Sequence, residues 1–308
     1  MVSRPNVAVR QMRVGINSKT ALMTLSEFRN RLREWLLLFV FVLIGMSGKA
    51  HAVTLGLADG NSSVTIDLSS DRGLSDWIVD GVNLAPAAGG GVFDYRQWFW
   101  YRVGNNPEAS IGTLTLGVNG VTDANFNGSP DTAFVSYSGP PGLKINVTFT
   151  LAGGTLGSGT SDIGEQISLV NTSSQSITMS FFQYGDFQLT APNVGGEMVS
   201  FTNSNTVRET GSTGYVQETV HTPIATHQEA EAFPITINKL DDALPTTLSD
   251  NTSAGPGDIT WAYQWDVTLA PAQTFLISKD MQAVIPEPST AILVFVGLIA
   301  FSQAKRRR

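Results

Sequence analysis

The sequence predicts an all-β protein: a single two-sheet antiparallel β-sandwich, flanked by an N-terminal signal helix and a short C-terminal membrane helix. Three observations predict it. Apolar and polar residues alternate along many short segments, which places apolar side chains on one face of a strand. Those segments are rich in Val, Ile, Phe, Tyr and Trp, side chains that fit a pleated surface. Between them lie clusters of Gly, Asn, Asp, Ser and Pro, the residues of turns.

The elements follow in order. Leu114–Val121 and Thr132–Tyr137 read as strands around a polar turn. Leu143, Ile145, Val147, Phe149 and Leu151 alternate strictly with Lys144, Asn146, Thr148 and Thr150, a strand with one buried face. Ile167 and Leu169, then Ile177, Met179 and Phe181, flank Asn171–Gln175 and read as a hairpin. Ile259, Trp261, Tyr263, Trp265, Val267 and Leu269 line another one-sided strand, and Phe275 and Ile277 continue in the next. Val216–Ala232 is the one stretch compatible with a short helix. About a dozen strands suit a sandwich.

Composition narrows the function classes. The 308 residues are 42% hydrophobic and 15% charged, with no cysteine. Disulfide scaffolds, thiol enzymes, zinc fingers and iron–sulfur proteins all need sulfur and are excluded. The formal net charge of −7 averages unlike regions. Residues 53–285 carry seven basic and 23 acidic residues, a formal charge of −16. Such a body repels phosphate backbones, so nucleic acid is not an expected partner.

Residues 1–52 carry eight basic residues, and Trp35–Met46 is an apolar run of about a dozen residues behind Arg29, Arg31 and Arg33. Small residues follow at Ala50 and Ala52. Basic flank, apolar run and A-x-A site are the order of a secretory signal, with cleavage after Ala52. Met12 or Met23 would serve as alternative starts; Met23 gives a basic flank of ordinary length. The body is then 53–285.

Residues 286–308 hold Pro286, Glu287 and Pro288, an apolar run from Ala291 to Phe301, and the basic end Lys305, Arg306, Arg307 and Arg308. The prolines keep the chain extended. The apolar run enters a bilayer as a short helix whose basic end stays in the cytoplasm. This tail resembles the PEP-CTERM sorting signal of Gram-negative bacteria. That resemblance implies an exosortase-type enzyme that recognises Pro286, Glu287 and Pro288, a transient stop in the inner membrane, and delivery to the periplasm, cell surface or extracellular matrix. It implies association with exopolysaccharide, and it assigns the body no chemistry.

Two groups of side chains stand out in the body. Asp123, Asn125, Asn127 and Asp131 place oxygens at alternate positions with Gly128 sixth, as in the first half of a Ca²⁺ loop. Phe134 stands at the twelfth position, where such a loop has a bidentate acid. The alternative is a polar hairpin turn. Aromatic rings cluster at Trp98 and Trp100 and at Trp261 and Trp265. They pack into a core, or they form an exposed platform on which sugar rings stack.

Catalytic motifs are missing. No G-x-S-x-G elbow occurs, Gly153–Gly159 has no P-loop lysine, and His221 and His227 are six residues apart, off any one helical face. The sequence therefore predicts a non-enzymatic exported surface or matrix protein with a structural or adhesive body. Two rivals are a carbohydrate-binding module and a polysaccharide-active hydrolase or lyase. The feature that distinguishes the enzyme is a cleft with two facing carboxylates, one of raised pKa.

Overall fold

A computed structural model describes residues 53–86, 95–190 and 195–286. The predicted signal helix and C-terminal membrane helix lie outside these residues, as do Ala50, Ala52, Glu287, Pro288 and Lys305–Arg308. Pro286 is described and exposed. Among the described residues no helix is long and apolar enough to cross a membrane.

The described residues form eighteen strands. The first six are β1 (Thr54–Asp59), β2 (Ser62–Asp67), β3 (Leu74–Val79), β4 (Val82–Asn83), β5 (Trp98–Val103) and β6 (Ala109–Ser110). Next come β7 (Thr115–Thr122), β8 (Thr132–Gly139), β9 (Leu143–Gly153), β10 (Thr160–Asn171), β11 (Ile177–Gly185) and β12 (Glu197–Asn203). The last are β13 (Thr206–Gly211), β14 (Gly214–Thr222), β15 (His227–Ala232), β16 (Ser253–Gly257), β17 (Ile259–Leu269) and β18 (Thr274–Val284). One helix, α1 (Ile235–Leu240), stands between β15 and β16.

All pairings are antiparallel. A nine-stranded sheet runs β16-β12-β13-β14-β18-β10-β9-β8-β7, and a five-stranded sheet runs β15-β17-β11-β5-β6. These two sheets face each other. Phe99 on β5 lies 6.3 Å from Phe149 on β9, and Phe201 on β12 meets Tyr263 on β17 edge-on at 5.3 Å. A four-stranded sheet, β1-β2-β3-β4, extends the second layer. Leu74 bridges to Gln97 beside the five-stranded sheet. The Trp77 indole donates across the layer to Ser161 on β10 at 3.1 Å.

The sandwich is thus observed, with a third sheet that alternation did not predict. Alternation locates buried faces and says nothing of how many sheets share them. The hairpin expected across Asn171–Gln175 does not form. β10 pairs with β9 and β18, whereas β11 pairs with β17 and β5. That connection crosses from one sheet to the other, pinned by Asn171, whose amide donates to the carbonyls of Gln175 and Leu269. Val216–Ala232 is not helical: β14 and β15 occupy it, with Val216, Glu218 and Val220 facing inward.

The five-stranded sheet is buried on both faces. Its inner face packs on the large sheet. Its outer face is covered by α1 and the segment that follows, where Asp241 accepts from Tyr95 Oη (2.5 Å) and Trp100 Nε1 (3.4 Å). This explains why Trp98-Phe99-Trp100 carries rings on both sides of one strand.

Candidate acid–base site

Trp98, Trp100, Trp261 and Trp265 are each at most 1% exposed. The sugar-stacking platform is therefore corrected: the rings are core, because both faces of their sheet are covered. Asp123, Asn125, Asn127 and Asp131 do gather in one turn, and their oxygens face the turn's own backbone. Asp123 accepts from Asn127 N (3.1 Å) and Gly128 N (2.8 Å), and Asp131 accepts from Ala124 N and Asn125 N at 3.0 Å. These are the side-chain-to-backbone bonds of an Asx-type turn. Among the described residues no group of three or more His, Asp or Glu is placed to hold a metal ion. His221 and His227 do not converge: His221 pairs with Asp280, and His227 lies 3.0 Å from Asp250.

Sequence reasoning missed a set of acids inside the sandwich. Asp186 follows β11, Glu197 opens β12, Glu209 lies on β13 and Asp258 precedes β17. Asp186, Glu197 and Glu209 are at most 2% exposed. Asp258, Gln188 and Thr190 are half-buried, so the cluster meets solvent on that side. The Gln188 amide donates to Asp186 (3.4 Å), and Asp258 lies near enough to Asp186 to repel its charge. Thr190 Oγ1 donates to Glu197, and Trp261 Nε1 donates to Glu209 at 3.1 Å.

Electrostatics set these acids apart from surface carboxylates. Burial pushes the Asp186 carboxyl up to about 7, and nearby Asp258 adds to the rise. The Arg96 guanidinium, 3.6 Å away, opposes it without cancelling it. Arg96 is itself anchored to the carbonyls of Pro86 and Tyr95. Burial, with Asp186 second, raises Glu209 well above the carboxylate range, and burial with Glu197 raises Asp258. A desolvated acid next to other acids keeps its proton near neutrality. The arrangement can hold a proton at Asp186 near neutrality.

A second buried network lies deeper, where Lys279 on β18 contacts Glu165 on β10 and Glu218 on β14. Gln97 and Gln183, from the facing layer, donate to Glu165 (3.3 Å) and Glu218 (2.7 Å). All three charged side chains have no exposed surface. This network is closed and braces the two layers.

A pocket of about 330 Å³ opens elsewhere, on the outer face of the five-stranded sheet. Arg102, Asn105, Ser180 and Asp266 are its polar wall. Arg102 donates to Ser180 (2.8 Å), and Ser180 donates to Asp266 (2.6 Å). The serine hydroxyl is thus engaged on both sides, accepting from Arg102 and donating to the Asp266 carboxylate. The proton-holding acids do not line this pocket.

The signal that would have found the interior acids is the phase of the alternation. Glu165 stands between Ile163 and Ile167, Glu218 between Val216 and Val220, and Lys279 between Ile277 and Met281, each on the apolar beat. Glu209 sits two residues after Val207, and Glu197 two before Val199. A charge in that phase is a buried charge.

No family model matches the chain, and no curated protein matches it. Solved structures do. A bacterial glucoamylase in complex with acarbose superposes with a TM-score of 0.50 at 8% identity, over 82% of this chain and 36% of that one. This chain therefore spans about a third of the glucoamylase. A protein of Escherichia coli K12, provisionally described as an aldose 1-epimerase, gives 0.46 at 10% identity, over 76% of this chain and 99% of that one. A polysaccharide lyase gives 0.44 at 11% identity, over 72% and 32%. At these identities the likeness is one of fold. The expectation that the body is not an enzyme is corrected to this extent: it rested on missing motifs alone, and the glucoamylase that superposes on this fold is named as an enzyme, so the missing motifs do not exclude catalysis.

Proposed function

We propose that the body is a polysaccharide-active enzyme, a hydrolase or lyase of sandwich fold, whose proton transfers are made by Asp186 and Asp258. The observation that carries this reading is the pair itself: Asp186, buried and bonded by the Gln188 amide, beside Asp258, with Asp186 pushed up to about 7 by burial and by that neighbour. An acid poised near the working pH is the requirement for general acid catalysis. Asp186, buried and in large part protonated, is the proton reservoir. Asp258, nearer solvent, is the carboxylate that meets substrate, and Arg96 limits the charge that develops between them.

In this reading residues 1–52 export the chain and residues 286–308 are the handle of an exosortase-type processing enzyme. The enzyme then works outside the cytoplasm, on exopolysaccharide. The test is to incubate the purified chain with a panel of neutral and uronic-acid polysaccharides. New reducing ends alone report hydrolysis, and ultraviolet absorbance of an unsaturated uronate reports a lyase. Activity lost in Asp186→Asn and Asp258→Asn, with melting temperature retained, supports the assignment. An inactive wild type across the panel, or variants as active as wild type, overturns it.

A further inference from the structure

The tight turn Asp59–Asn61 ties two loops to one end of the sandwich. Asp59 accepts from the Asn125 and Asn127 amides (2.9 and 2.6 Å) and from Gly153 N (2.8 Å). Asn61 accepts from Gly154 N (2.8 Å), and Asp80 accepts from Gly157 N (2.7 Å) and Gly159 N (2.8 Å). The loops 123–131 and 153–159 are therefore held side by side. Each carries one large apolar side chain at its tip, and Phe126 and Leu156 are both 89% exposed. Phe126 also has a φ of 60°, a left-handed conformation that bulky residues rarely adopt. The turn's hydrogen bonds keep this residue strained and in solvent.

The chain leaves the body at the same place. Ile285 N donates to Gly159 O at 2.7 Å, beside the Leu156 loop. Beyond Pro286 the sequence supplies the apolar run 291–301 and the basic end 305–308. The five steps from Pro286 to Ala291 reach at most about 18 Å. When that run enters a bilayer, this end of the sandwich is tethered within the same distance of it. The loops contain no Lys or Arg, and Asp80 and Asp131 are held below the usual carboxylate range by backbone N–H groups. The surface thus offers apolar contact without attraction for anionic headgroups, which suits a zwitterionic lipid.

We propose that this loop end is a membrane-docking surface: in the chain that still carries its tail, Phe126 and Leu156 enter the interface of the bilayer that holds residues 291–301. This inference is independent of the catalytic reading and rests on the apolar tail entering lipid.

The chain has no cysteine, so a single introduced one is a unique label site. Phe126→Cys, Leu156→Cys and Ser174→Cys, each in the full-length chain, are nitroxide-labelled and reconstituted into phosphatidylcholine vesicles. Ser174 is exposed at the far end of β10, on the order of 35 Å away at the rise of a strand. Oxygen and a water-soluble nickel chelate report immersion. The expected result is a raised oxygen-to-nickel accessibility ratio at 126 and 156, with 174 at its aqueous value. Equal ratios at all three sites overturn the proposal. Labels at 126 and 156 shielded from both reagents also overturn it, because the occupant is then protein. A chain that does not float with the vesicles overturns both the docking and the reading of the tail.

Discussion

Lys279 and Glu165 face each other across β18 and β10 as an ion pair wholly enclosed between two sheets. Glu218 stands 3.4 Å from the same ammonium, and the Phe99 ring lies 5.5 Å from it. Burial raises both acids, and Glu218 reaches about 7 even with the lysine beside it. One cation between two desolvated carboxyls favours a state in which one of them keeps a proton. The network is a rigid polar centre in an otherwise apolar layer.

Removing the cation leaves both acids without compensation. Lys279→Met is expected to destabilise by about 3–5 kcal/mol, the usual consequence of breaking a buried pair from one side. Replacing all three charged groups together, as Lys279→Met with Glu165→Leu and Glu218→Gln, should recover part of that loss, because no buried charge is then left unpaired. Urea denaturation of the three proteins measures both effects.

Stability should fall as pH rises toward neutrality. Burial moves Asp186 from 3.8 to about 7 and Glu218 from 4.5 to about 7. Between those values the folded chain binds protons that the unfolded chain has released, so each unit of pH lowers the unfolding free energy. Their contribution is complete below the unfolded values and lost as pH passes 7. Asp80 and Asp131 are shifted the other way by backbone N–H donors, and their contribution disappears in acid, below 3.8. The melting temperature is expected to peak at about pH 4–5 and to drop by several degrees by pH 8. Asp186→Asn should flatten the alkaline side, and a melting temperature that climbs from pH 5 to 8 would contradict the burial of these acids.

The tryptophans act as core. Trp265→Ala should cost about 3–5 kcal/mol by cavity formation. Trp261→Phe keeps most of the volume and removes the donor to Glu209, so about 1–3 kcal/mol is expected from the orphaned acid. Chemical denaturation gives the values. Affinity electrophoresis on polysaccharide gels should show unchanged mobility for Trp261→Phe, since the Trp261 ring is not exposed for stacking.

Asp59 is the hub of the loop end, with one carboxylate serving two asparagine amides and Gly153 N. Asp59→Ala should lose about 1–3 kcal/mol, as for charged acceptors partly shielded from water. Hydrogen exchange at Gly153 and along 123–131 should speed up, while exchange in β17 remains slow.

Strand class and much of the strand placement are legible in the residues alone. Strict alternation in Leu143–Leu151 marked β9, and turn residues around Asn125–Gly128 marked the β7–β8 hairpin. The two-sided rings of Trp98–Trp100 left open whether the second face is core or an exposed platform, and the tertiary structure buries it. Alternation and turn residues are local features, set by side-chain period and turn conformation, so a single sequence carries them. The tertiary structure decided which strands share a sheet, and with that where the charges go. Asn171–Gln175 looks like a hairpin and is a crossover, because pairing partners are chosen by contacts far along the chain. Glu165 meets Lys279 only after β10 pairs with β18, and Asp186 comes near Asp258 only after β11 pairs with β17. Burial is a property of the closed sandwich: the same glutamates would be solvated acids on an open sheet, and their proton affinity follows from desolvation that no local segment can impose.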